Sequence, residues 1–152
     1  MMRIWIDGSG YNGERSGYCV YFEDGRCFEE SFVEPNSNNM MEYLALYEAL
    51  KRCSSGDEIF TDSQLVTKQV AGLWNCNFEH LIEMRDNCIE LMKDKRITLT
   101  WIPRDENLAG KLIERGLNLS RLLRRGKRSD SNGNVAGQSE EEGRKEKDIQ
   151  LP

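Results

Sequence analysis

The sequence predicts an α/β fold in which helices flank a mixed five-stranded sheet, with the element order β-β-β-α-β-α-α-β-α. Three β-rich segments come first and are joined by hairpin signals, and strands then alternate with helical patterns. The first strand is apolar at consecutive positions, which is typical of a strand buried on both faces. These observations indicate a small antiparallel meander that continues into an α/β sheet.

The first strand is predicted at Ile4-Trp5-Ile6, three residues that favour β-structure. Asp7 and Gly8 follow directly, so we expect a central strand that ends on a carboxylate and turns at glycine. A buried acid costs free energy unless it is paired, solvated or bound to a cation. Asp7 is therefore the first candidate for a functional residue.

The remaining elements follow from hydrophobic periodicity and from turn signals. The other strands are predicted at Ser16–Phe22, Cys27–Val33, Asp57–Thr61 and Arg96–Ile102. The helices are predicted at Met40–Cys53, Ser63–Trp74, Phe78–Met92 and Asn107–Arg125, the last with a break at Gly116 as an option. From Gly126 onward the chain is polar and almost free of apolar residues, so we predict one domain over 1–125 and a disordered tail over 126–152.

The composition is that of a soluble protein, with 31% charged and 38% hydrophobic residues among 152. The sequence contains no window of about 18 consecutive apolar residues, so no membrane span is predicted. Because the N-terminus also does not resemble a signal peptide, a cytoplasmic location is expected. The five cysteines are odd in number and form no Cys-x-x-Cys pair, which argues against a disulfide framework and a structural zinc site.

The charge of the chain is unevenly distributed. The net charge is −5, yet Lys111 to Arg128 contains seven basic residues and one acid, Glu114, which leaves about −11 for the rest. This basic run either helps to hold a phosphate backbone or is the ordinary basic end of a helix.

Two further acids stand out by position. Glu42 shares with Leu46 and Ala49 the apolar face of its helix, so it points towards the sheet, although an acid there also favours the helix dipole. Asp62 lies where a strand passes into a helix, a position that also suits a helix cap.

The three acids are predicted to meet at one edge of the sheet, because the carboxyl ends of strands in open α/β sheets form the ligand crevice. Two unit charges about 4 Å apart repel by roughly 4 kcal/mol at an effective dielectric constant of about 20. Clustered carboxylates without His or Cys therefore indicate Mg²⁺ or Mn²⁺, and metal-assisted phosphoryl transfer is the chemistry that they serve best.

Three motifs in the chain resemble those of type 1 ribonuclease H, and the element order resembles that family's fold. The motifs are Ile6-Asp7-Gly8-Ser9, the segment from Asn38-Asn39 through Glu42 to Leu46, and Thr61-Asp62-Ser63-Gln64. The resemblance covers residues 3 to about 115. It implies cleavage of the RNA strand of an RNA–DNA hybrid by a monomer that holds two divalent ions, Mg²⁺ or Mn²⁺.

The resemblance also assigns roles to residues. Asp7 would bridge both ions, and Glu42 and Asp62 would complete one of the two ion sites. The residues that would contact the hybrid are Gly8, Ser9, Asn38, Asn39, Ser63, Gln64 and Asn107.

The sequence departs from the family pattern in the fourth motif. The family has Asn-x-x-Ala-Asp at the start of the last helix, whereas this chain continues from Asn107 to Gly110 without the expected carboxylate. Glu114 is the first candidate substitute, and Glu106 and Asp105 are the others. The family's mobile histidine is missing as well, and so is its basic protrusion; the single histidine, His80, is expected on a surface helix without a function.

We therefore expect a metal-dependent endoribonuclease that acts on hybrids. The alternative is a catalytically weakened domain of the same fold that binds nucleic acid or a protein partner. Gly110 favours the alternative, whereas the three intact motifs favour the enzyme, because a pure binding domain gains nothing from three clustered acids.

Overall fold

The computed structural model describes residues 1–115, and it confirms the predicted five-stranded mixed sheet. The strand order is β3-β2-β1-β4-β5, so the first strand is the central one. The strands are β1 (Arg3–Ser9), β2 (Ser16–Phe22), β3 (Cys27–Phe32), β4 (Glu58–Thr61) and β5 (Thr98–Trp101). Hairpins connect the first three strands, and helices connect the parallel strands, as the element order predicts.

Helices α1 (Asn38–Arg52), α2 (Gln64–Val70) and α3 (Glu79–Lys95) follow in chain order, and a 3₁₀ turn at Arg104–Glu106 precedes α4, which begins at residue 108. Helix α4 is described as far as residue 115. The predicted break at Gly116, the domain boundary at 125, the tail and most of the basic run lie outside the described residues. No additional helix lies between α2 and α3, in agreement with the absence of a basic protrusion.

The sheet register aligns the strand ends that carry the acids. Strands β1 and β4 are parallel, with Arg3 opposite Glu58 and Trp5 opposite Phe60. Continued at the same offset, this pairing puts Asp7 level with Asp62. Two carboxylates that are far apart in sequence therefore lie at the same edge of neighbouring strands.

Each face of the sheet is covered by helices. Ile4 and Ile6 of β1 lie on the face that packs against α1, whose residues Leu46 and Ala49 are fully buried. Trp5 lies on the opposite face, in a smaller cluster with Cys19 and with Ala109 of α4. The central strand is therefore buried on both sides, which explains its uninterrupted apolar sequence.

Several predicted boundaries are wrong, three of them for identifiable reasons. Helix α2 ends at Val70 and not at Trp74, because the chain turns at Gly72, which has a φ of 79°. Strand β1 does not end at Asp7, because Gly8 and Ser9 continue its antiparallel pairing with β2. Strand β5 does not begin at Arg96, because this residue has a φ of 55° and terminates α3 in the left-handed conformation.

The described residues also bear on membranes and on cysteine chemistry. Among residues 1–115, no helix is both long enough and apolar enough to span a bilayer. All five cysteines are free, and all except Cys27 are buried.

Candidate active site

Asp7 lies inside the central strand with only 1% of its surface exposed. Its Oδ2 atom is buried and, within the described part of the chain, accepts no hydrogen bond. Nearly all buried polar atoms in proteins have a partner, so an oxygen of this kind indicates a position for a cation or another ligand. The burial of Asp7 therefore carries the free energy cost that the sequence predicted.

Glu42 is brought to Asp7 by a close approach between α1 and β1. The backbone N–H of Gly8 donates to Glu42 Oε1 over 2.8 Å. A Cβ atom at Gly8 would lie 2.3 Å from the backbone nitrogen of Glu42, so glycine is required for this approach. The cap of α1 is Ser37, whose side chain accepts from the N–H of Met40, so Glu42 is not needed to cap the helix.

Asp62 directly follows β4, and 9% of its side chain is exposed. The helix-cap role that the sequence allowed for this acid belongs to Ser63, whose Oγ accepts from the N–H of Val66 over 3.1 Å. The Asp62 carboxylate instead faces the other two acids.

The three carboxylates form one cluster. Asp7, Glu42 and Asp62 each offer an oxygen, and these oxygens all lie within 4.8 Å of one another. Burial, together with the charge of Asp62, raises the pKa of Asp7 to about 7. Burial also raises the pKa of Glu42 well above its ordinary value, with a further contribution from Asp7. A bound cation would lower the pKa values of Asp7 and Glu42, because it stabilises their ionised forms.

The cluster fits a divalent metal ion in its donor chemistry. Its ligands are carboxylate oxygens, the donors that Mg²⁺ and Mn²⁺ prefer, and Asp7 Oδ2 has no other partner among the described residues. Asp7, Glu42 and Asp62 are thus the residues that could hold such an ion.

Arg104 reaches into the same cluster from the 3₁₀ turn that follows β5. Its Nη1 donates to Asp7 Oδ1 over 3.4 Å and to Asp62 Oδ2 over 3.2 Å. Its Nη2 donates to Glu114 Oε1 over 3.3 Å. The sequence places Arg104 in this loop, but its contact with the acids was not predicted. The register of β5 could have predicted this contact, because β5 runs parallel to β4 and Trp101 at its end lies opposite Thr61, next to Asp62.

Asn107 lies beneath the carboxylates and is completely buried. Its Nδ2 donates to the carbonyl oxygen of Ile6 over 2.9 Å and to Asp62 Oδ2 over 3.0 Å. Its Oδ1 accepts from the backbone of Ala109 and caps α4. This placement gives Asn107 a positioning role, and the substrate contact expected from the sequence stays a prediction.

Gly110 faces the cluster from the first turn of α4. A Cβ atom at this position would lie 3.4 Å from Asp7 Oδ2, so the family's fourth carboxylate would have pointed at the unpartnered oxygen. Among the candidate substitutes, Glu114 contacts Arg104 at the edge of the site, with 57% of its side chain exposed. Asp105 and Glu106 are exposed in the 3₁₀ turn.

The predicted hybrid-contact residues differ in their exposure. Gln64 is exposed, Gly8, Ser9, Asn38 and Ser63 are half-buried, and Asn39 is buried. The Asn38 side chain accepts from the backbone of Gly10 and holds α1 against the end of β1. His80 lies exposed on α3, as expected.

A groove of about 330 Å³ opens beside Ser9, between the edge of β2–β3 and α4. Its lining contains Arg15 but also Glu29 and Glu30, and their carboxylates would repel a phosphate backbone. The groove therefore does not share the chemistry of the carboxylate cluster.

Comparison with known proteins agrees with this geometry. Residues 1–110 match the family described as RNase H. The N-terminal RNase H domain of Rv2228c from Mycobacterium tuberculosis, solved as a fusion with maltose-binding protein, superposes with a TM-score of 0.61 at 24% identity over 78% of this chain and 97% of that one.

Two further solved structures are similar. RNase H1 from the halophilic archaeon Halobacterium salinarum NRC-1 has a TM-score of 0.57 at 27% identity over 73% of this chain and 92% of that one. LC11-RNase H1 in complex with an RNA/DNA hybrid has a TM-score of 0.57 at 24% identity over 71% of this chain and 89% of that one.

Proposed function

Since residues 1–110 match the RNase H model, the chain belongs to the type 1 ribonuclease H family, and we propose that it is a divalent-metal-dependent endoribonuclease acting on RNA–DNA hybrids. The single observation that carries this proposal is the cluster of Asp7, Glu42 and Asp62, with one buried oxygen of Asp7 left without a partner among the described residues. Asp7 and Glu42 are buried and Asp62 is partly buried, so three ionised carboxylates at this spacing repel one another, and their clustering indicates a cation site that serves catalysis.

The proposed reaction is hydrolysis of a phosphodiester bond in the RNA strand. The oxygen of a water molecule forms a bond to phosphorus, the bond from phosphorus to the leaving ribose oxygen breaks, and that oxygen receives a proton. Mg²⁺ or Mn²⁺ bound at the cluster would polarise the phosphate and favour hydroxide over water.

The residues of the chain hold and orient the reacting groups. Asp7, Glu42 and Asp62 would hold the cation through carboxylate oxygens, and Asn107 orients the Asp62 carboxylate by donating to its Oδ2. We assign to Asn39 and Gln64, of which Gln64 is exposed and Asn39 is buried, the contacts with the 2′-hydroxyl groups in the shallow minor groove that distinguish RNA from DNA.

The proposal is tested with a labelled RNA–DNA hybrid in Mg²⁺ and then in Mn²⁺. We expect the parent protein to cleave the RNA strand and Asp7→Asn to be at least about 100-fold slower, because it loses a ligand carboxylate. Glu83→Gln, which removes an exposed acid on α3, is the matched control and should cleave at the parent rate.

Two results would contradict the enzyme proposal. Cleavage by Asp7→Asn at the parent rate would show that the activity comes from a contaminant. Hybrid binding without cleavage in either metal would support the second candidate, a catalytically weakened binding domain, which Gly110 favours because it supplies no fourth carboxylate.

A further inference from the structure

We propose that Arg104 takes the place of a second divalent cation, so that this protein binds one ion where the family pattern implies two. The inference rests on the metal site of the proposed function and concerns how many ions that site holds. It starts from the contacts of Arg104 with two of the three clustered carboxylates.

The guanidinium group divides the cluster into an occupied and an open side. Arg104 contacts Asp7 Oδ1 and Asp62 Oδ2, whereas Asp7 Oδ2 has no partner among the described residues. Glu42 forms no ion pair with Arg104 within residues 1–115, and its Oε1 accepts from the backbone of Gly8. Because Arg104 leaves Asp7 Oδ2 and the Glu42 carboxylate without an ion pair, these two groups, together with Asp62, can hold an ion while Arg104 stays in place.

The charges of the cluster balance with one ion. Three carboxylates carry three negative charges, and one divalent ion together with Arg104 carries three positive charges. A second divalent ion would leave an excess of two positive charges in a largely buried site, which is unfavourable at low effective dielectric. Glu114 is not counted in this balance because it is not one of the clustered carboxylates and pairs only with Arg104 among the described residues.

Gly110 also bears on the number of ions that the site can hold. A side chain at this position would begin 3.4 Å from Asp7 Oδ2, so a carboxylate here would add the ligand and the negative charge that a second ion requires. The chain has glycine instead and places an arginine across the cluster. Compared with the family pattern, the site lacks one negative charge at Gly110 and gains one positive charge from Arg104. This change of two positive charges equals the charge of one divalent ion.

The experiment counts bound Mn²⁺ without substrate, from the decrease in the electron paramagnetic resonance signal of free hexaaquo Mn²⁺. We expect one ion per chain for the parent. Arg104→Gln removes the competing charge and should bind that ion about tenfold more tightly, whereas Arg104→Lys keeps the charge and should stay closer to the parent.

A second pair of variants tests the role of Gly110. Gly110→Asp alone should still bind one ion, because Arg104 remains across the cluster, whereas the double variant Arg104→Gln/Gly110→Asp should bind two. This cycle isolates the coupling between the two positions. Thermal unfolding of each variant in EDTA shows that the protein is folded before ions are counted.

Two ions bound to the parent, no bound ion, or equal Mn²⁺ affinity of the parent and Arg104→Gln would each overturn the inference. Because no substrate is present, the outcome is separate from that of the cleavage assay. A parent protein that binds one ion but cleaves no hybrid would overturn the proposed function and leave this inference standing.

Discussion

Asp7 makes the stability of the metal-free protein depend on pH. Its pKa is about 7 in the folded state, compared with an ordinary value of 3.8, so between these values the folded state binds more protons than the unfolded state. The stabilisation that protonated Asp7 contributes is therefore fully present below about pH 4 and is lost as the pH rises through about 7.

We expect the metal-free parent to lose about 3 kcal/mol of unfolding free energy between about pH 5 and about pH 8, and Asp7→Asn to lose much less. Glu42 contributes in the same direction, and its contribution is smaller in Asp7→Asn because the charge of Asp7 helps to raise the pKa of Glu42, so the difference between the two proteins reports on Asp7 together with its coupling to Glu42. Urea unfolding in EDTA at both pH values measures it. Equal losses in the two proteins would show that Asp7 is not held in its protonated form.

Asn107 joins three elements through one side chain, and its removal should be costly. Asn107→Ala deletes the donors to Ile6 and Asp62 and the cap of α4, and it leaves the buried carbonyl of Ile6 without its partner. We expect a loss of about 2–4 kcal/mol in unfolding free energy and weaker Mn²⁺ binding.

Gln64→Ala provides the control for this substitution, because Gln64 is exposed and belongs to the predicted hybrid surface. It should change stability by less than about 0.5 kcal/mol while weakening hybrid binding. If Asn107→Ala were as stable as Gln64→Ala, Asn107 would not hold the site together.

At the level of elements, the close approach of α1 to β1 sets the position of Glu42. Gly8→Ala would place a methyl group 2.3 Å from the backbone of α1, so the helix must move away from the strand. We expect a loss of about 2–3 kcal/mol in unfolding free energy and a clear decrease in Mn²⁺ affinity.

Gly25→Ala is the matched glycine control. Gly25 has a φ of 98° in the β2–β3 turn, and a Cβ there would meet nothing within 4 Å. This variant should lose about 1 kcal/mol from backbone strain alone and should bind Mn²⁺ like the parent. Equal Mn²⁺ affinity of the two variants would show that the approach of α1 does not control the site.

Element type was predictable from the sequence, whereas element ends were less so. Hydrophobic periodicity and turn signals are local, and they correctly predicted all five strands and helices α1 to α3. The ends of β1 and β5 depend on pairing with a neighbouring strand and on the left-handed conformation of Arg96, and neither is contained in a local pattern.

For the whole molecule, charge distribution is expected to govern the affinity for a hybrid. The basic run from Lys111 to Arg128 carries a net charge of +6, although most of it lies outside the described residues. Removal of residues 121–152 should weaken hybrid binding and reduce its salt dependence, by roughly 0.7–0.9 in the logarithmic slope for each phosphate group that the shortened chain no longer neutralises.

Removal of residues 129–152 is the control for this truncation, because it leaves the basic run intact and should keep the slope of the parent. Binding measured at several salt concentrations distinguishes the two truncated proteins. The same slope for both would show that the basic run does not bind the phosphate backbone.

The sequence by itself determined the fold class, the central position of the first strand and the choice of Asp7, Glu42 and Asp62 as the acids to examine. These properties follow from local patterning and from the order of the elements. The tertiary structure alone decided that Arg104 lies across the cluster, that Asn107 supports it from below and that Gly110 faces Asp7 Oδ2. The reason is physical: the partner of a polar side chain depends on which distant backbone segments the packed sheet brings to the same edge.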